Sequence, residues 1–569
     1  MRRRRSLPLL SLLLLGPMPL GAACGGRSLV LPVGDLSPSD LGTPEDLPGL
    51  VDLRPFDFAT PPDLPPSDLA APSDLPFDPG DLATPSDLPL LDLAAPSDLP
   101  LDALPPPFDA SPLTDLRDLG APPDALTSSD LSSSPDLLPP APVQPRVDGL
   151  FGEWQDVPLL ASDAVGDATG GFDITRLQAQ SRGSVLFLRF DTGRTINVQA
   201  GDPADGTLRL ELDPPAGPHL TIDLRNRRIR AGTQTLYWSD VGFRFSPTYA
   251  GNEFEVRVDL QRFGVAEGGT VRINFSGSDA LAAPASFTLR GSALPAPGRS
   301  PARQPGTRLR VAALNTLQSG LLDPARSAAI GRLVQAVAAD VYSFEEEYTS
   351  DAPAIAQALT ALNPTGDGAP WQVHKGRDIA IASRYRLIPV TVTQSRHAAA
   401  VVEAPGGPVV VVGVHLSCCG YDGSLEDQNR IAEAQALAGT LASLRGGLLG
   451  IALLPYRNAP VVVLGDFNLV GSRTPLDVLT APSGPALVDW LLPHLNAEDV
   501  ETWRVLRSSY VPGRLDLMVH SPALVRRNGY VLDAAELDSA TRAALRLQLT
   551  DSQATDHLFL VSDFDYASP

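Results

Sequence analysis

Short polar groups interrupt the apolar runs of the carboxy-terminal part of this sequence, and their residue types suit phosphate chemistry. In chain order they are Asn315; Glu345-Glu346-Glu347; His415; Gly465-Asp466-Phe467-Asn468; Arg514-Leu515-Asp516; and Asp556-His557. A glutamate offers hard oxygen to a divalent cation, and histidines can stabilise charge on a phosphate. Asp466 and Asn468 are two apart, so just beyond a strand both can face one side and orient a water. Asp516 could accept from one ring nitrogen of His557 and hold the other nitrogen toward a phosphate. Such a set contains the parts of metal-assisted phosphodiester hydrolysis.

These groups must be brought together by the elements around them. Apolar runs and amphipathic stretches alternate from residue 308 onward. The expected strands are 309–314, 340–344, 378–382, 409–415, 461–465, 514–519 and 558–561, with helices at 324–339, 352–362 and 426–444. Strands alternating with helices predict an α/β sandwich, and each polar group falls where a strand ends or begins. One edge of a sheet could therefore collect all of them.

The ordered set is similar to the endonuclease/exonuclease/phosphatase superfamily, with its DNase-I-like fold, over residues 308–564. The segment Gly376-Arg377-Asp378-Ile379-Ala380-Ile381-Ala382-Ser383-Arg384 also resembles that family's glycine–apolar–Ser-Arg strand. The resemblance implies a four-layer α/β sandwich and a Mg²⁺-dependent, or Mn²⁺-dependent, phosphoester hydrolase. It implies Glu346 as principal metal ligand, with Asn315 and Asp556 close by. Asp466 would orient or deprotonate the attacking water, and Asn468 would fix water or phosphate. His557, oriented by Asp516, would stabilise the pentacovalent phosphate, and His415 would donate to the phosphate or the leaving oxygen. The usual Gln-Glu is here Glu345-Glu346 followed by Glu347, which leaves room for a slipped register. No acidic residue stands two positions after Asn315, which favours a single metal. Arg384 and Arg514, with Arg377 and Arg473, are candidates for meeting substrate phosphates, against structural ion pairing. His219, His374, His397, His494 and His520 have no comparable partners and read as structural or surface residues. The vicinal Cys418-Cys419 reads as two buried thiols in preference to a strained disulfide.

Residues 146–292 change character. Alternating runs such as 185–190, 208–212, 254–260 and 270–275 read as antiparallel strands of a β-sandwich. The opening Val147-Asp148-Gly149-Leu150-Phe151-Gly152-Glu153-Trp154 resembles carbohydrate-binding-module-like domains of the family-nine type. That resemblance implies a surface glycan as ligand. Trp154 reads as a core residue before a sugar platform. Asp163, Asp167 and Asp173 could supply oxygens to a structural Ca²⁺, against a role as turn residues.

The remaining sequence is an export signal and a tether. Of 569 residues, 44 are basic and 66 acidic, a net charge of −22, and 57 are proline. Residues 1–145 alone hold 7 basic and 21 acidic groups and 30 of the prolines, so the acidity belongs largely to this segment. No basic cluster forms the electrostatic footprint of a nucleic-acid clamp. Arg2 to Arg5, a short apolar run and the small residues before Cys24 read as a signal peptide over residues 1–24, resembling a bacterial lipoprotein signal with Cys24 lipidated. Leu20 sits four residues before Cys24, not the usual three. The alternative is plain cleavage and secretion; either way an exported protein is expected, in the first case an outer-membrane lipoprotein. Residues 25–145 repeat Pro-Ser-Asp-Leu from Pro38, Pro66, Pro72, Pro85 and Pro96 without an apolar face, which reads as a disordered tether. The β-sandwich over 146–292, a linker over 293–307 and the hydrolase over 308–569 complete the expected organisation. The expected activity is an exported phosphodiesterase acting on DNA or RNA. The rivals are a sphingomyelinase-like phospholipase and a non-catalytic surface protein that binds glycans.

Overall fold

The computed structural model describes residues 145–198, 201, 205–291, 299–496 and 498–567. The signal, Cys24, residues 25–144 of the tether and residues 293–298 of the linker lie outside them.

The first module consists of two antiparallel sheets. One runs β1 (Leu159–Ser162), β2 (Arg176–Arg182), β3 (Val185–Ile196), β9 (Gly251–Asp259) and β8 (Arg244–Ser246). The other runs β11 (Ala285–Thr288), β10 (Thr270–Gly277), β4 (Leu208–Asp213), β5 (Leu220–Asp223), β6 (Arg228–Ala231) and β7 (Gln234–Leu236). Alternate residues point to one shared core, including Leu186, Leu188 and Phe190 of β3, Leu210 and Leu212 of β4, and Ile273 and Phe275 of β10. Trp154 is fully buried and its Nε1 donates to Glu255 Oε1 at 3.1 Å, so its ring offers no face to a sugar.

The second module has two six-stranded sheets. The first is ordered β14 (Gln372–Lys375), β15 (Ala380–Ser383), β13 (Val341–Glu345), β12 (Leu309–Asn315), β23 (Phe559–Tyr566) and β22 (Leu524–Leu532). The second is ordered β16 (Leu387–Val390), β17 (His397–Ala404), β18 (Gly407–His415), β19 (Val461–Asp466), β21 (Asp516–His520) and β20 (Val488–Asp489). Their inner faces enclose one core: Val311 and Ala313, Val409 and Val411, and Val462 and Leu464 all enter it. The outer face of the first sheet is covered by α1 (Ser327–Val337) and α2 (Ala352–Leu362). That of the second is covered by α3 (Leu425–Arg445) and α4 (Thr474–Thr480). The result is four layers, helix–sheet–sheet–helix.

Local sequence explains the long elements. The strand of β18 reads Val409-Val410-Val411-Val412 because both its faces are covered. Helix α3 starts at Ser424, whose side chain accepts from the Asp427 amide, with Glu426 and Asp427 in its first turn and Arg445 in its last. Asp351 caps α2 in the same way, accepting from Ala354 N. Glycines set the sheet spacing at two points. A Cβ on Gly413 would lie 2.3 Å from Ser343 Oγ, and one on Gly465 would lie 2.7 Å from Glu345 Oε1.

Candidate active site

The inward-facing rows of four strands all end in polar residues at one end of the inter-sheet space. Strand β12 points Leu309, Val311 and Ala313 inward, and Asn315 follows in that row. Strand β18 ends in His415 and β19 in Asp466; Asp516 opens β21, directly opposite Asp466 in the ladder. Asn315 and Asp466 meet across the two sheets, Asn315 Nδ2 donating to Asp466 Oδ2 at 3.2 Å.

The same alternation sorts the three glutamates. Val341, Ser343 and Glu345 form the inward row of β13, so Glu345 is shut between the sheets, accepting from Ser343 Oγ at 2.5 Å. Burial raises its pKa well above the ordinary carboxylate value, which leaves it neutral. Glu347 is fully buried and accepts from Thr316 Oγ1 at 2.7 Å and Leu321 N at 3.1 Å. Glu346 alone turns out of the strand, with φ 60°, and reaches Asn315 Nδ2 at 3.1 Å and Gln318 N at 3.0 Å. The geometry therefore places Glu346 beside Asn315, and neither neighbour can take its place.

Asp466 is the centre of the arrangement. Its Oδ1 accepts from Asn468 N at 2.8 Å and its Oδ2 from Asn468 Nδ2 at 3.0 Å. Asn468 bends into the left-handed region, φ 47°, and also donates to Leu416 O. Two imidazoles flank the same oxygen: His557 Nε2 at 3.8 Å and His415 Nε2 at 3.9 Å. Each ring is backed by its own carboxylate, His557 Nδ1 by Asp516 Oδ2 at 2.7 Å and His415 Nδ1 by Asp378 Oδ2 at 2.6 Å. Burial opposes charge on His415, but Asp378, with Asp466 and Glu346 beyond it, raises its pKa to about 9. For His557 burial is outweighed by Asp516 and Asp466, and the value lies well above the ordinary one. Burial pushes Asp466 up to about 7, against the lowering influence of the two histidines. Both rings then carry a proton on Nε2, and Asp466 titrates near neutrality, where a general base works best.

Three supporting residues were not foreseen. Asp378 backs His415 as described. Thr502 Oγ1 accepts from the amides of Leu515 and Asp516 at 3.0 and 2.8 Å and fixes the start of β21. Trp503 Nε1 donates to Asp556 Oδ2 at 3.0 Å, and its backbone bridges to His557. A second carboxylate for a second histidine was the available signal for Asp378; nothing local marks Thr502 or Trp503.

The two arginines that were candidates for substrate phosphates make structural contacts, the alternative kept open for them. Arg384 follows Ser383, which pairs with Val341 at the start of β13, the end opposite Glu346. Its guanidinium lies over Trp371 and donates to Ala339 O and Asn363 Oδ1. Arg514 spends its guanidinium on Asp489, at 2.6 and 3.1 Å. Arg473 pairs with Asp477 at 2.8 Å. His494, expected to be a structural or surface residue without comparable partners, is fully buried in a charged network and does have acidic partners. Cys418 and Cys419 are half-buried thiols, not fully buried ones, with Sγ atoms 2.6 Å apart.

Hard-oxygen donors are present for a cation. Glu346 and Asn315 are in contact, and Asp556 Oδ1 is buried without a hydrogen-bond partner, an unmet demand that a cation would satisfy. Among the described residues, carboxylate-containing groups with ligand atoms all within 4.8 Å occur elsewhere, at His494/Asp533/Glu536, Asp148/Glu153/Glu255 and Asp163/Asp167/Asp279. The last replaces the expected Asp163, Asp167 and Asp173 set. Asp173 is diverted because its Oδ2 accepts from Gly166 N at 2.8 Å.

A four-layer α/β fold whose inner strands end in a carboxylate between two histidines has the parts that phosphoester hydrolysis needs. Residues 312–557 match the model of the Endonuclease/Exonuclease/phosphatase family, whose members are phosphoester hydrolases. No curated protein matches the chain. Among solved structures, the human Nocturnin catalytic domain is similar, at 19% identity over 47% of this chain and 97% of that one, TM-score 0.30. An AP endonuclease from Archaeoglobus fulgidus matches at 15% identity over 45% and 99%, TM-score 0.30. A mannosyl-6-phosphatase from Bacteroides thetaiotaomicron matches at 14% identity over 45% and 100%, TM-score 0.32.

Proposed function

We propose that this protein is an exported, metal-dependent phosphodiesterase that hydrolyses DNA or RNA by attack of water on phosphorus. The observation that carries the reading is Asp466, held by Asn468 and Asn315 and flanked on one oxygen by His415 and His557. Asp466 orients the water and takes one of its protons as the new P–O bond forms. His557, kept in register by Asp516, donates from Nε2 to the phosphate oxygens. His415, kept by Asp378, gives the proton that the leaving ester oxygen needs as its bond to phosphorus breaks. Glu346, Asn315 and Asp556 would hold Mg²⁺ or Mn²⁺, which supplies Lewis-acid polarisation of the phosphate.

Tyr348 favours nucleic acid. It lies two residues beyond Glu346, is 46% exposed, and offers a ring on which a base can stack. Trp371, Trp490 and Trp503 are all buried, so none of these three rings is available to enter a phospholipid surface. Export rests on the residue 1–24 signal, with Cys24 as lipid anchor or the chain simply secreted. An Asp163/Asp167/Asp279 group is the candidate Ca²⁺ site of the first module.

The test is the full chain assayed with Mg²⁺, with Mn²⁺ and with chelator against plasmid DNA, RNA, sphingomyelin vesicles and a chromogenic phosphodiester, beside Asp466→Ala. Metal-dependent nucleic-acid cleavage that falls at least about 10³-fold in the variant is expected. Sphingomyelin turnover in place of nucleic-acid cleavage would move the substrate assignment, and no turnover of any phosphodiester would refute it.

A further inference from the structure

The loop that follows Asn468 is held from outside its own domain. Three consecutive carbonyls, of Leu469, Val470 and Gly471, each accept a hydrogen bond from the first module. The donors are Thr248 Oγ1 at 2.9 Å, Asn197 Nδ2 at 2.7 Å and Ala250 N at 2.7 Å. Asn197 and Thr248 are each 4% exposed, and Asn197 Oδ1 also accepts from Asp422 N at 2.6 Å. The other side of the mouth is gripped too. Arg257 pairs with Asp499, Arg244 with Glu501, and Trp238 Nε1 donates to Val505 O. Those contacts flank Thr502 and Trp503, which set Asp516 and Asp556. The modules also exchange apolar side chains: Val511 enters the core of the first, and Tyr249 packs on the core under α3.

We infer that the first module is part of the active-site scaffold, and that its Asn197 and Thr248 are positioning residues for the Asp466–Asn468 water-orienting turn. Asn468 occupies a left-handed conformation, which is uncommon for a non-glycine residue and persists where its surroundings fix it. Val470, whose carbonyl Asn197 holds, donates its own amide to Asn468 O at 2.8 Å and so ties the held loop to the turn. A water held by Asp466 and Asn468 is sensitive to small displacements, since a shift of about 1 Å can cost on the order of 10²-fold in rate. The module thus acts on the chemical step through the loop, without touching substrate. This inference rests on the phosphodiesterase reading for its kinetic part alone.

The test compares the full wild-type chain with Asn197→Ala, Thr248→Val, the double variant and Thr248→Ser, with Arg262→Ala in the same module as control. The readouts are kcat and KM on a chromogenic phosphodiester, the Mg²⁺ dissociation constant by calorimetry, thermal unfolding, and hydrogen exchange of the 466–472 amides without metal. The double variant is expected to lose kcat on the order of 10-fold to 10²-fold. KM and Mg²⁺ affinity should change less than about twofold, the 466–472 amides should exchange faster, and Thr248→Ser should restore what Thr248→Val loses. An unchanged kcat, or losses of kcat, KM and metal affinity in step with the melting temperature, would overturn the positioning role. A wild-type chain without turnover would refute the phosphodiesterase reading instead; unchanged exchange in the double variant would then still overturn the inference.

Discussion

His494 offers a measurable link between charge and the join of the two modules. Its side chain is fully buried and both ring nitrogens face acceptors, Nδ1 toward Glu536 Oε1 at 2.8 Å and Nε2 toward the Glu501 carbonyl at 2.6 Å. A ring that donates twice is an imidazolium. Burial opposes that charge, but Glu536, Glu501 and Asp499 raise its pKa to about 10. The folded chain thus holds the proton more tightly than the unfolded one. The stabilisation is complete below the unfolded value of about 6.5 and is lost as pH rises through about 10. That interval corresponds to about 5 kcal/mol at roughly 1.4 kcal/mol per pH unit. His494→Gln keeps one donor but no charge, so it removes this slope, and Glu536 and Glu501 lose the cation that lowers their own pKa values. Urea unfolding of the full chain and the variant at pH 6.5 and pH 9 reads the effect, because groups that do not face His494 cancel in the difference. The gap in unfolding free energy should shrink by about 3 kcal/mol between those two pH values. A gap that stays constant, or that widens toward pH 9, would show that His494 is not a cation in the folded protein and refute the reasoning.

The adjacent glutamates should behave oppositely. Glu345→Gln replaces an already neutral, buried acid and should leave turnover within a few-fold, whereas Glu346→Gln should raise the Mg²⁺ concentration for half-maximal activity by an order of magnitude or more; equal effects in a metal titration would reverse the register. Asp516→Asn removes the charge that keeps His557 protonated and should lower kcat on the order of 10²-fold with KM nearly unchanged, as steady-state kinetics on a small phosphodiester would read. Tyr348→Ala should raise KM for an oligonucleotide by roughly 5-fold to 10²-fold, the worth of one base stack, and leave KM for the small substrate unaffected.

Much of the carboxy-terminal fold was legible because strands buried on both faces appear as apolar runs, and their polar ends mark one edge. Asn315, His415, Asp466 and Asp516 are all such ends. The choice of Glu346 over Glu345 follows from strand alternation once Val341 is fixed as inward-facing, but the start of that strand is what sequence determines least well. Strand β22 was missed because Arg526-Arg527-Asn528-Gly529 looks like a turn; the chain instead carries an irregularity there, between Arg526 and Asn528, and continues as strand. Arg384 follows a strand that runs antiparallel to β13, so it emerges at the edge of the sheet away from Glu346. The contacts between modules were invisible for a different reason. Asn197 and Val470 are 273 residues apart, and neither has a local pattern that names the other.

The two aspartate–histidine pairs explain how so much charge is tolerated around Asp466. A carboxylate buried alone would be costly, and one imidazolium beside it could relieve that cost by surrendering its proton to it. Here each ring has a second carboxylate on its far nitrogen, Asp378 or Asp516, which raises its pKa in addition to Asp466. In the proposed reaction Asp466 would accept a proton from water while those carboxylates hold charge on the histidines. As its own charge was neutralised, its attraction for both Nε2 protons would weaken. Those protons would then be available to the phosphate oxygens and the leaving group as negative charge develops there. Removing either Asp378 or Asp516 would break this sequence by making one ring's proton the property of Asp466, which is why the backing carboxylates matter as much as the rings they hold.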